Sequence, residues 1–90
     1  LSPSSAASDV YKRQGLMYTA QHDIKNAEDA FKRAILYNPE LIQAKYNLAL
    51  LYESNNRDKA KELYMEVLEQ DPTFEEAKNA LADLSTSDFF

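Results

Sequence analysis

An internal repeat runs through this 90-residue chain and constrains its fold more than any other feature. The offset is 34 for the first three repeated positions and 33 for the rest: Gly15, Leu16, Tyr18, Ala27, Phe31, Ala34 and Pro39 return as Ala49, Leu50, Tyr52, Ala60, Tyr64, Val67 and Pro72. Repeats of this length indicate stacked units, because each unit has an apolar face that it can bury only against a neighbour. The repeat therefore predicts a solenoid.

The hydrophobic spacing inside each unit predicts helices. From Ile24 to Ile35 apolar residues recur at steps of three and four, which is the stripe of an amphipathic helix. Asp23 is placed to cap this helix, and Asn38 ends it, because a residue that precedes proline is disfavoured in the helical region. The same pattern predicts a second helix from Leu41 to Tyr52 and a third from Ala60 to Leu68.

The loss of one residue from the offset locates a turn between Tyr52 and Ala60. A one-residue deletion inside a helix would rotate every later side chain by about 100°. In an exposed turn the same deletion costs little. We therefore predict a turn at Ser54–Asn56 and its counterpart near His22 and Asp23.

These patterns predict an all-α fold, an α-α superhelix of about two and a half helical hairpins with five helices. The two full units should occupy about residues 8–41 and 42–74, and a final helix should occupy about residues 74–84. Residues 85–90 should form a C-terminal tail that starts with a turn at Ser85–Asp88. If the natural chain ends here, the final helix is expected to cap the array; if it does not, the sequence stops in the middle of a unit. The polar outer face formed by Glu75, Glu76, Lys78 and Asp83 favours a cap.

Composition supports a helical domain and argues against several classes of function. The chain has one Gly, three Pro and no Cys, so disulfides and thiolate sites are excluded. A net charge of −5 weighs against nucleic-acid binding, which needs Lys and Arg at phosphates. Residues 62–88 hold eight acidic residues and a single Lys, so a surface there should prefer a basic partner. No apolar run reaches the roughly 20 residues that span a bilayer, so membrane insertion is not expected.

Residues 4–14 resemble a translated transposase-type sequencing adapter, and the identity covers eleven residues from Ser4 to Gln14. We expect residues 1–14 to be non-native, although a helix can continue through them, and residues 15–84 to form the natural repeat domain. The chain is then expected to be a fragment of a longer open reading frame, with its natural N-terminus missing. If the natural N-terminus is missing, the sequence does not indicate the cellular compartment.

The repeated residues resemble the tetratricopeptide repeat, a 34-residue helix-turn-helix unit with small residues where its helices cross and a closing Pro. The resemblance covers Gly15 to Leu84. The first unit matches at Gly15, Tyr18, Ala27, Phe31, Ala34 and Pro39, and the second at Leu48, Ala49, Tyr52, Ala60, Tyr64 and Pro72. Val67 replaces the usual Ala, and Lys45 occupies the Trp position, where its stem can cover apolar surface.

No set of residues in the sequence indicates catalysis, a metal or a cofactor. His22 is the only histidine and lacks nearby partners, so a solvated turn residue is the better interpretation. We interpret the carboxylates as parts of solvated helix faces: Glu75, Glu76, Glu66, Glu69 and Asp71. The aromatic residues read as core, with Tyr46 as the exception: Tyr18, Phe31, Tyr37, Tyr46, Tyr52 and Tyr64.

The resemblance implies that the first helices of successive units line a concave groove for an extended peptide or a partner helix. Its positions in this chain are Leu16, Thr19, Gln43, Tyr46, Asn47, Leu50, Glu53, Glu76, Asn79 and Asp83. Leu16, Tyr46 and Leu50 would be the apolar anchors. A variant of the family that grips a terminal carboxylate is disfavoured, because only Asn47 fits its pattern and Glu76 would repel the ligand.

We therefore expect a non-catalytic protein-protein interaction scaffold. The alternative is a recruiting arm of a larger enzyme, for example a glycosyltransferase or a peptidase, whose catalytic domain lies outside this chain. A helical-repeat RNA reader is disfavoured by the acidity. The partner should be a protein or peptide of basic character, and the unpaired N-terminal face should favour self-association, because two and a half units are near the minimum for independent folding.

Overall fold

The computed structural model describes residues 3–87 and contains five helices in that range. In chain order they are α1 (Pro3–Ala20), α2 (Ile24–Tyr37), α3 (Ile42–Asn55), α4 (Arg57–Gln70) and α5 (Glu75–Ser87). Each helix packs against the next one along the chain, α1 on α2, α2 on α3, α3 on α4 and α4 on α5. The predicted all-α superhelix of helical hairpins is confirmed.

The second helix of each full unit starts at a side-chain cap, and the two caps occupy equivalent positions of the repeat. Asp23 Oδ1 accepts a hydrogen bond from the Asn26 amide at 3.4 Å, and Asn56 Oδ1 accepts one from the Lys59 amide at 3.3 Å. Each cap satisfies an amide that has no partner inside the helix. The cap predicted at Asp23 is confirmed.

The two helices also end alike, as the Asn38–Pro39 and Asp71–Pro72 pairs predict. The amide of Asn38 donates to the Ala34 carbonyl, and the amide of Asp71 donates to the Val67 carbonyl. The side chains of Asn38 and Asp71 then accept hydrogen bonds from amides two residues later, as in an Asx turn. This turn sets the direction in which the next unit begins.

The missing residue of the second unit corresponds to His22, which has a φ of 61°. Counted from Tyr18 to the cap at Asp23, the first turn is one residue longer than its counterpart from Tyr52 to Asn56. In the second unit α3 stays helical to Asn55, and Asn56 alone separates it from α4. The expected turn at Ser54–Asn56 is therefore wrong in extent, since two of its three residues are helical.

Small residues lie where the two helices of a unit cross. Gly15 and Ala27 are buried in the first unit, and Ala49 and Ala60 are buried in the second. Small side chains let the backbones approach closely, and the neighbouring core fills with larger groups: Phe31, Leu48, Leu51, Tyr52, Tyr64, Val67 and Leu84. The predicted crossings are confirmed.

Tyr18 and Tyr52 both pack on the core, but the second is more deeply buried. The Tyr52 hydroxyl donates a hydrogen bond to Glu28 Oε2 at 3.1 Å, which links α3 to the preceding unit. Tyr37, which the sequence assigns to the core, is instead exposed at the end of α2. Its ring stacks on that of Tyr11, with centroids 5.6 Å apart and planes at 5°. Arg33 lies over the Tyr11 ring at 5.8 Å.

The adapter-like residues from Ser4 to Gln14 are helical and belong to α1. The helix starts at Pro3, where the missing amide hydrogen costs nothing. Ser8 is buried, and Tyr11 packs against the core.

At the other end, α5 continues to Ser87, so the turn predicted at Ser85–Asp88 is wrong for its first three residues. Leu1, Ser2, Asp88, Phe89 and Phe90 lie outside the described residues. Residues 88–90 of the predicted tail are therefore outside the described residues.

Candidate functional site

The residues that the sequence assigns to a groove lie on the first helices of the successive units. By helix they are Leu16 and Thr19 on α1, Gln43, Tyr46, Asn47, Leu50 and Glu53 on α3, and Glu76, Asn79 and Asp83 on α5. The helices between them, α2 and α4, fix the spacing of this row by packing against both neighbours.

Tyr46 packs against two other aromatic side chains. It is half-buried, with its ring centroid 5.2 Å from that of Phe74 and 5.9 Å from that of Tyr64, at interplanar angles of 57° and 55°. Tilted pairs at these distances are favourable. Burial raises the pKa of the Tyr46 hydroxyl, and the negative charges of Glu76 and then Glu53 raise it further. The two carboxylates, from α3 and α5, thus act on the same phenol.

Glu53 is held in place from the second helix of its own unit. The buried Tyr64 hydroxyl donates a hydrogen bond to Glu53 Oε2. Burial is the main cause that raises the pKa of Tyr64, and the hydrogen bond to Glu53 adds to it. The carboxylate is therefore oriented by the core while its residue remains half-exposed.

Leu16 and Leu50 occupy equivalent positions of the two full units and show nearly equal exposure, 44% and 42%. Leucine side chains are usually buried in proteins of this kind. At equivalent positions of α1 and α3, the two leucines therefore leave a similar part of their apolar surface exposed. Both are available as apolar contacts.

Two members of the set are already engaged by the chain itself. Thr19 Oγ1 donates to the carbonyl of Gly15 at 2.8 Å, within its own helix. Gln43 Oε1 accepts from Lys12 Nζ at 3.0 Å, and this bond joins α3 to α1. Asn47 is half-buried, whereas Glu76, Asn79 and Asp83 are exposed on α5. Among the contacts of the set, the Tyr46 ring packs on Phe74 and Tyr64, and the hydroxyl of Tyr64 binds Glu53.

Phe74 and Lys12 are neighbours of the site that sequence reasoning missed. Phe74 precedes α5 and supports the Tyr46 ring, although the sequence suggests only a helix start there. Lys12 binds Gln43 from within the adapter-like segment. Phe74 could have been found from its place just after the closing Pro72, where an aromatic residue can reach the first helix of the preceding unit.

Lys45, at the Trp position of the second unit, has a side chain only 11% exposed. Its Nζ lies 3.2 Å from Gln70 Oε1 and 3.6 Å from Glu66 Oε1. The side chain is therefore largely removed from water, and its charge is partnered by α4.

The His, Asp and Glu side chains in the part of the chain that the structure describes form no metal-binding cluster. His22 is exposed in its turn, as predicted. Glu75 and Glu76 are exposed, and hydrogen bonds from Thr73 lower the pKa of Asp71. A search of the described residues for a helix able to cross a bilayer found none.

The family model of the tetratricopeptide repeat matches residues 18–84. The chain belongs to the tetratricopeptide repeat family. The match covers most of the two full units and ends in α5, and it agrees with the helical hairpins described above. Tetratricopeptide repeats serve typically as non-catalytic modules for protein interaction, and the fold of this chain is consistent with that role.

Among curated proteins, the uncharacterized protein ycf37 of Cyanophora paradoxa is 35% identical over 74 residues. The alignment covers 81% of this chain and 43% of the relative. The chain therefore spans less than half the length of the curated relative that it matches.

Among solved structures, the first tetratricopeptide domain of Spaghetti (RPAP3), bound to an HSP90 peptide SRMEEVD, is similar with a TM-score of 0.62. The superposition covers 96% of both chains at 19% sequence identity. This similarity supports the tetratricopeptide fold of the whole chain.

Proposed function

We propose that this tetratricopeptide chain is a protein-interaction scaffold that binds a peptide or helix of basic character along the row formed by α1, α3 and α5. The observation that carries the proposal is the packing of the half-buried Tyr46 ring against Phe74 and Tyr64, together with the hydrogen bond from the Tyr64 hydroxyl to Glu53 of the same row. The similar domain of Spaghetti is bound to a peptide, which supports a peptide as the class of ligand.

The chemistry of the row favours a cationic ligand that also has apolar side chains. Leu16 and Leu50 present exposed aliphatic surface, and the Tyr46 ring provides an aromatic face. Glu53, Glu76 and Asp83 supply negative charge next to these apolar groups. A Lys or Arg of the ligand can pack its stem on Tyr46 and place its charge near the carboxylates. The acidic peptide SRMEEVD should bind weakly, because it would bring like charges together.

A display library of random seven-residue peptides tests this proposal directly. We expect selection on the chain to enrich peptides with net positive charge, and their binding to weaken as salt screens the carboxylates. Tyr46→Ala should weaken binding at least about 5-fold, as expected for an interface hot spot. Glu76→Lys should weaken the basic peptides and strengthen SRMEEVD.

Met65→Ala is the matched control for this experiment, because Met65 is an exposed apolar residue of α4, outside the row. Its substitution should leave peptide binding unchanged. The proposal fails if selection enriches no peptide, if the enriched peptides are acidic, or if their binding is insensitive to Tyr46.

We also propose that residues 1–14 are not native and that the chain is part of a longer protein. The eleven-residue adapter identity supports the first point. The second is supported by the incomplete coverage of the ycf37 relative. Sequencing the genomic DNA that flanks Gly15 and Phe90 tests both points, and the adapter assignment fails if Ser4 to Gln14 are encoded there. A catalytic domain in the flanking sequence would favour the second candidate function, a recruiting arm of an enzyme.

The final part of the proposal is self-association of the chain through the free side of α1. Met17 and Val10 are among its exposed apolar residues. Burying them against a second copy removes apolar surface from water, which is favourable in proportion to the area buried.

A further inference from the structure

The first helices of neighbouring units meet at two junctions, α1 with α3 and α3 with α5, and the two junctions carry different groups. At the first junction, Gln43 of α3 accepts a hydrogen bond from Lys12 of α1 at 3.0 Å. Tyr46 is the counterpart of Lys12 at the offset of 34, and Glu76 is the counterpart of Gln43 at the offset of 33. The repeat therefore relates Tyr46 and Glu76 at the second junction to a pair that is in contact at the first.

Phe74 fixes the start of α5 against Tyr46. Its carbonyl accepts a hydrogen bond from the Lys78 amide at 3.2 Å, so Phe74 stands at the start of the helix. Its ring centroid lies 5.2 Å from that of Tyr46, and Glu76 follows two residues later. The first turn of α5 is thus held beside the Tyr46 ring.

The two carboxylates of the second junction differ in what holds them. Glu53 Oε2 accepts a hydrogen bond from the buried Tyr64 hydroxyl, and the Tyr64 ring lies 5.9 Å from that of Tyr46. Among the described residues, Glu76 is exposed and has neither a hydrogen-bond nor an ion-pair partner. After burial, the main cause, the charges of Glu76 and Glu53 raise the pKa of the Tyr46 hydroxyl, which agrees with a place for both carboxylates near the phenol.

The basic residues nearest in sequence do not neutralise these carboxylates. Lys45 is directed to α4, where its Nζ lies 3.2 Å from Gln70 Oε1 and 3.6 Å from Glu66 Oε1. Lys78 is two positions after Glu76, which is about 200° around the helix. No ion pair in the described part of the chain joins Glu53 or Glu76 to a Lys or Arg. The complement that the junction lacks is therefore a cation supplied by a ligand.

We propose that the second junction is a subsite for one arginine side chain of the ligand, stacked on the Tyr46 ring and paired with both Glu53 and Glu76. The inference rests on the proposed function and names the side chain that the row selects. A guanidinium group is planar and has donors on several edges, so it can lie on a ring and still donate to a carboxylate on each side. The ammonium of lysine is a compact charge without a flat face.

The subsite lies outside the adapter-like segment. Its groups come from α3, from α4, from Phe74 and from α5. At the first junction the equivalent place is occupied by Lys12, which would repel a second cation. In the part of the chain that the structure describes, the repeat therefore forms this subsite once.

Titration of the isotope-labelled chain with N-acetyl-arginine amide, followed by NMR, tests the subsite without any peptide. We expect saturable shifts of the backbone amides around Tyr46, Glu53 and Glu76. N-acetyl-lysine amide should bind about 2- to 5-fold more weakly, because it forgoes one of the two charge pairs. N-acetyl-citrulline amide has nearly the shape of the arginine probe without its charge and should not bind measurably.

Glu76→Gln and Glu75→Gln are the matched pair of variants for the charge. Each removes one exposed carboxylate from the first turn of α5, but neighbouring positions of a helix point about 100° apart. Glu76→Gln should weaken the arginine probe about 2- to 5-fold and the lysine probe by less, whereas Glu75→Gln should leave both unchanged. Equal losses in the two variants would show a general effect of net charge and would overturn the subsite.

Tyr46→Leu and Tyr46→Phe test the stacking. Leucine keeps an apolar side chain but has no ring, so the arginine probe should bind about 2- to 5-fold more weakly. Phenylalanine keeps the ring, and this variant should lose less than Tyr46→Leu. Far-UV circular dichroism establishes that both variants are folded. Equal losses in the two variants would rule out stacking on the ring.

The outcomes separate this inference from the proposed function on which it rests. Binding of the arginine probe at the junction supports the subsite, and it does so even if the peptide library enriches no basic peptide, a result that contradicts the proposed function alone. An arginine probe that shifts no amide near Tyr46, or that binds no more tightly than the lysine probe, overturns the subsite. Enriched basic peptides that contain lysine but no arginine overturn it as well and leave the proposed scaffold intact.

Discussion

Gly15 and Phe31 are in such close contact that a Cβ added to the glycine would lie 2.5 Å from the Phe31 Cε1 atom. The added atom would also lie 2.6 Å from Cδ1 and 2.7 Å from Cζ of the same ring. The second unit has Ala49 and Tyr64 at the corresponding positions, and both are buried. The two units thus pack the same helix crossing with different pairs of side chains.

This contact predicts that Gly15→Ala destabilises the protein. Overpacking a core typically costs about 1 to 3 kcal/mol, and the better helix propensity of alanine returns about 1 kcal/mol. We expect a net loss of up to about 2 kcal/mol, measured by chemical denaturation. The loss should be smaller in a Phe31→Leu background, where the ring is gone. An equal loss in both backgrounds would show that the Phe31 ring is not the cause.

The second prediction concerns His22, a non-glycine residue that adopts a φ of 61°. A side chain in the left-handed region costs roughly 1 to 2 kcal/mol, and glycine removes that cost but loses more entropy on folding. We expect His22→Gly to raise the free energy of unfolding by about 0.5 to 1 kcal/mol. Gln21→Gly, one residue earlier, is the control and should not stabilise. A destabilised His22→Gly variant would contradict this account of the turn.

Much of the architecture could be predicted from the sequence, because burial imposes a period that the residues must follow. The small residues at Ala27 and Ala60 and the proline pairs marked the crossings and the ends of helices. The change in the repeat offset also located the turn, because a helix interior cannot lose a residue without rotating its faces. The position with positive φ, His22, had no comparable signal, since the turn itself decides which residue adopts that conformation.

The remaining details depend on side-chain contacts between helices. Tyr37 resembles a core residue in its helical spacing, but it lies at the end of α2 and stacks on Tyr11 instead. The Tyr64 hydroxyl reaches Glu53 across a helix pair, which spacing within one helix cannot show. The polar residues at the ends of α3 and α5 favour turns in isolation, but they extend helices already stabilised by packing. The membership of the candidate groove remains a prediction.

The hydrogen bond between Tyr64 and Glu53 predicts a dependence of stability on alkaline pH. The folded protein holds the pKa of Tyr64 above its ordinary value, mainly through burial. Between the ordinary value, about 10, and the folded value, the folded state binds more protons than the unfolded state. The contribution of Tyr64 to the free energy of unfolding should therefore be fully present below about pH 10. Above that pH it should fall by about 1.4 kcal/mol per pH unit.

Tyr64→Phe tests this dependence, and the first unit already has Phe31 at the equivalent position. The variant should lose about 0.5 to 1.5 kcal/mol at neutral pH, the usual contribution of one hydrogen bond. Its alkaline slope should be shallower than that of the wild type by the amount assigned to Tyr64. Glu53→Gln keeps the buried phenol and should retain most of the slope. Identical alkaline slopes in wild type and Tyr64→Phe would rule out Tyr64 as the source.

Lys45 allows the packing of a side-chain stem to be separated from the pairing of its charge. The Lys45 side chain is nearly buried, and its partner Glu66 is 51% exposed. A pair that is open to solvent on one side contributes about 0 to 1 kcal/mol, whereas each buried methylene contributes about 0.8 kcal/mol.

Lys45→Met keeps a long apolar stem and should change stability by less than about 0.5 kcal/mol, whereas Lys45→Ala should cost about 1 to 2 kcal/mol. Glu66→Gln removes the partner charge alone and should have a small effect that disappears at high salt. If Lys45→Met costs as much as Lys45→Ala in chemical denaturation, the charge rather than the stem stabilises this position.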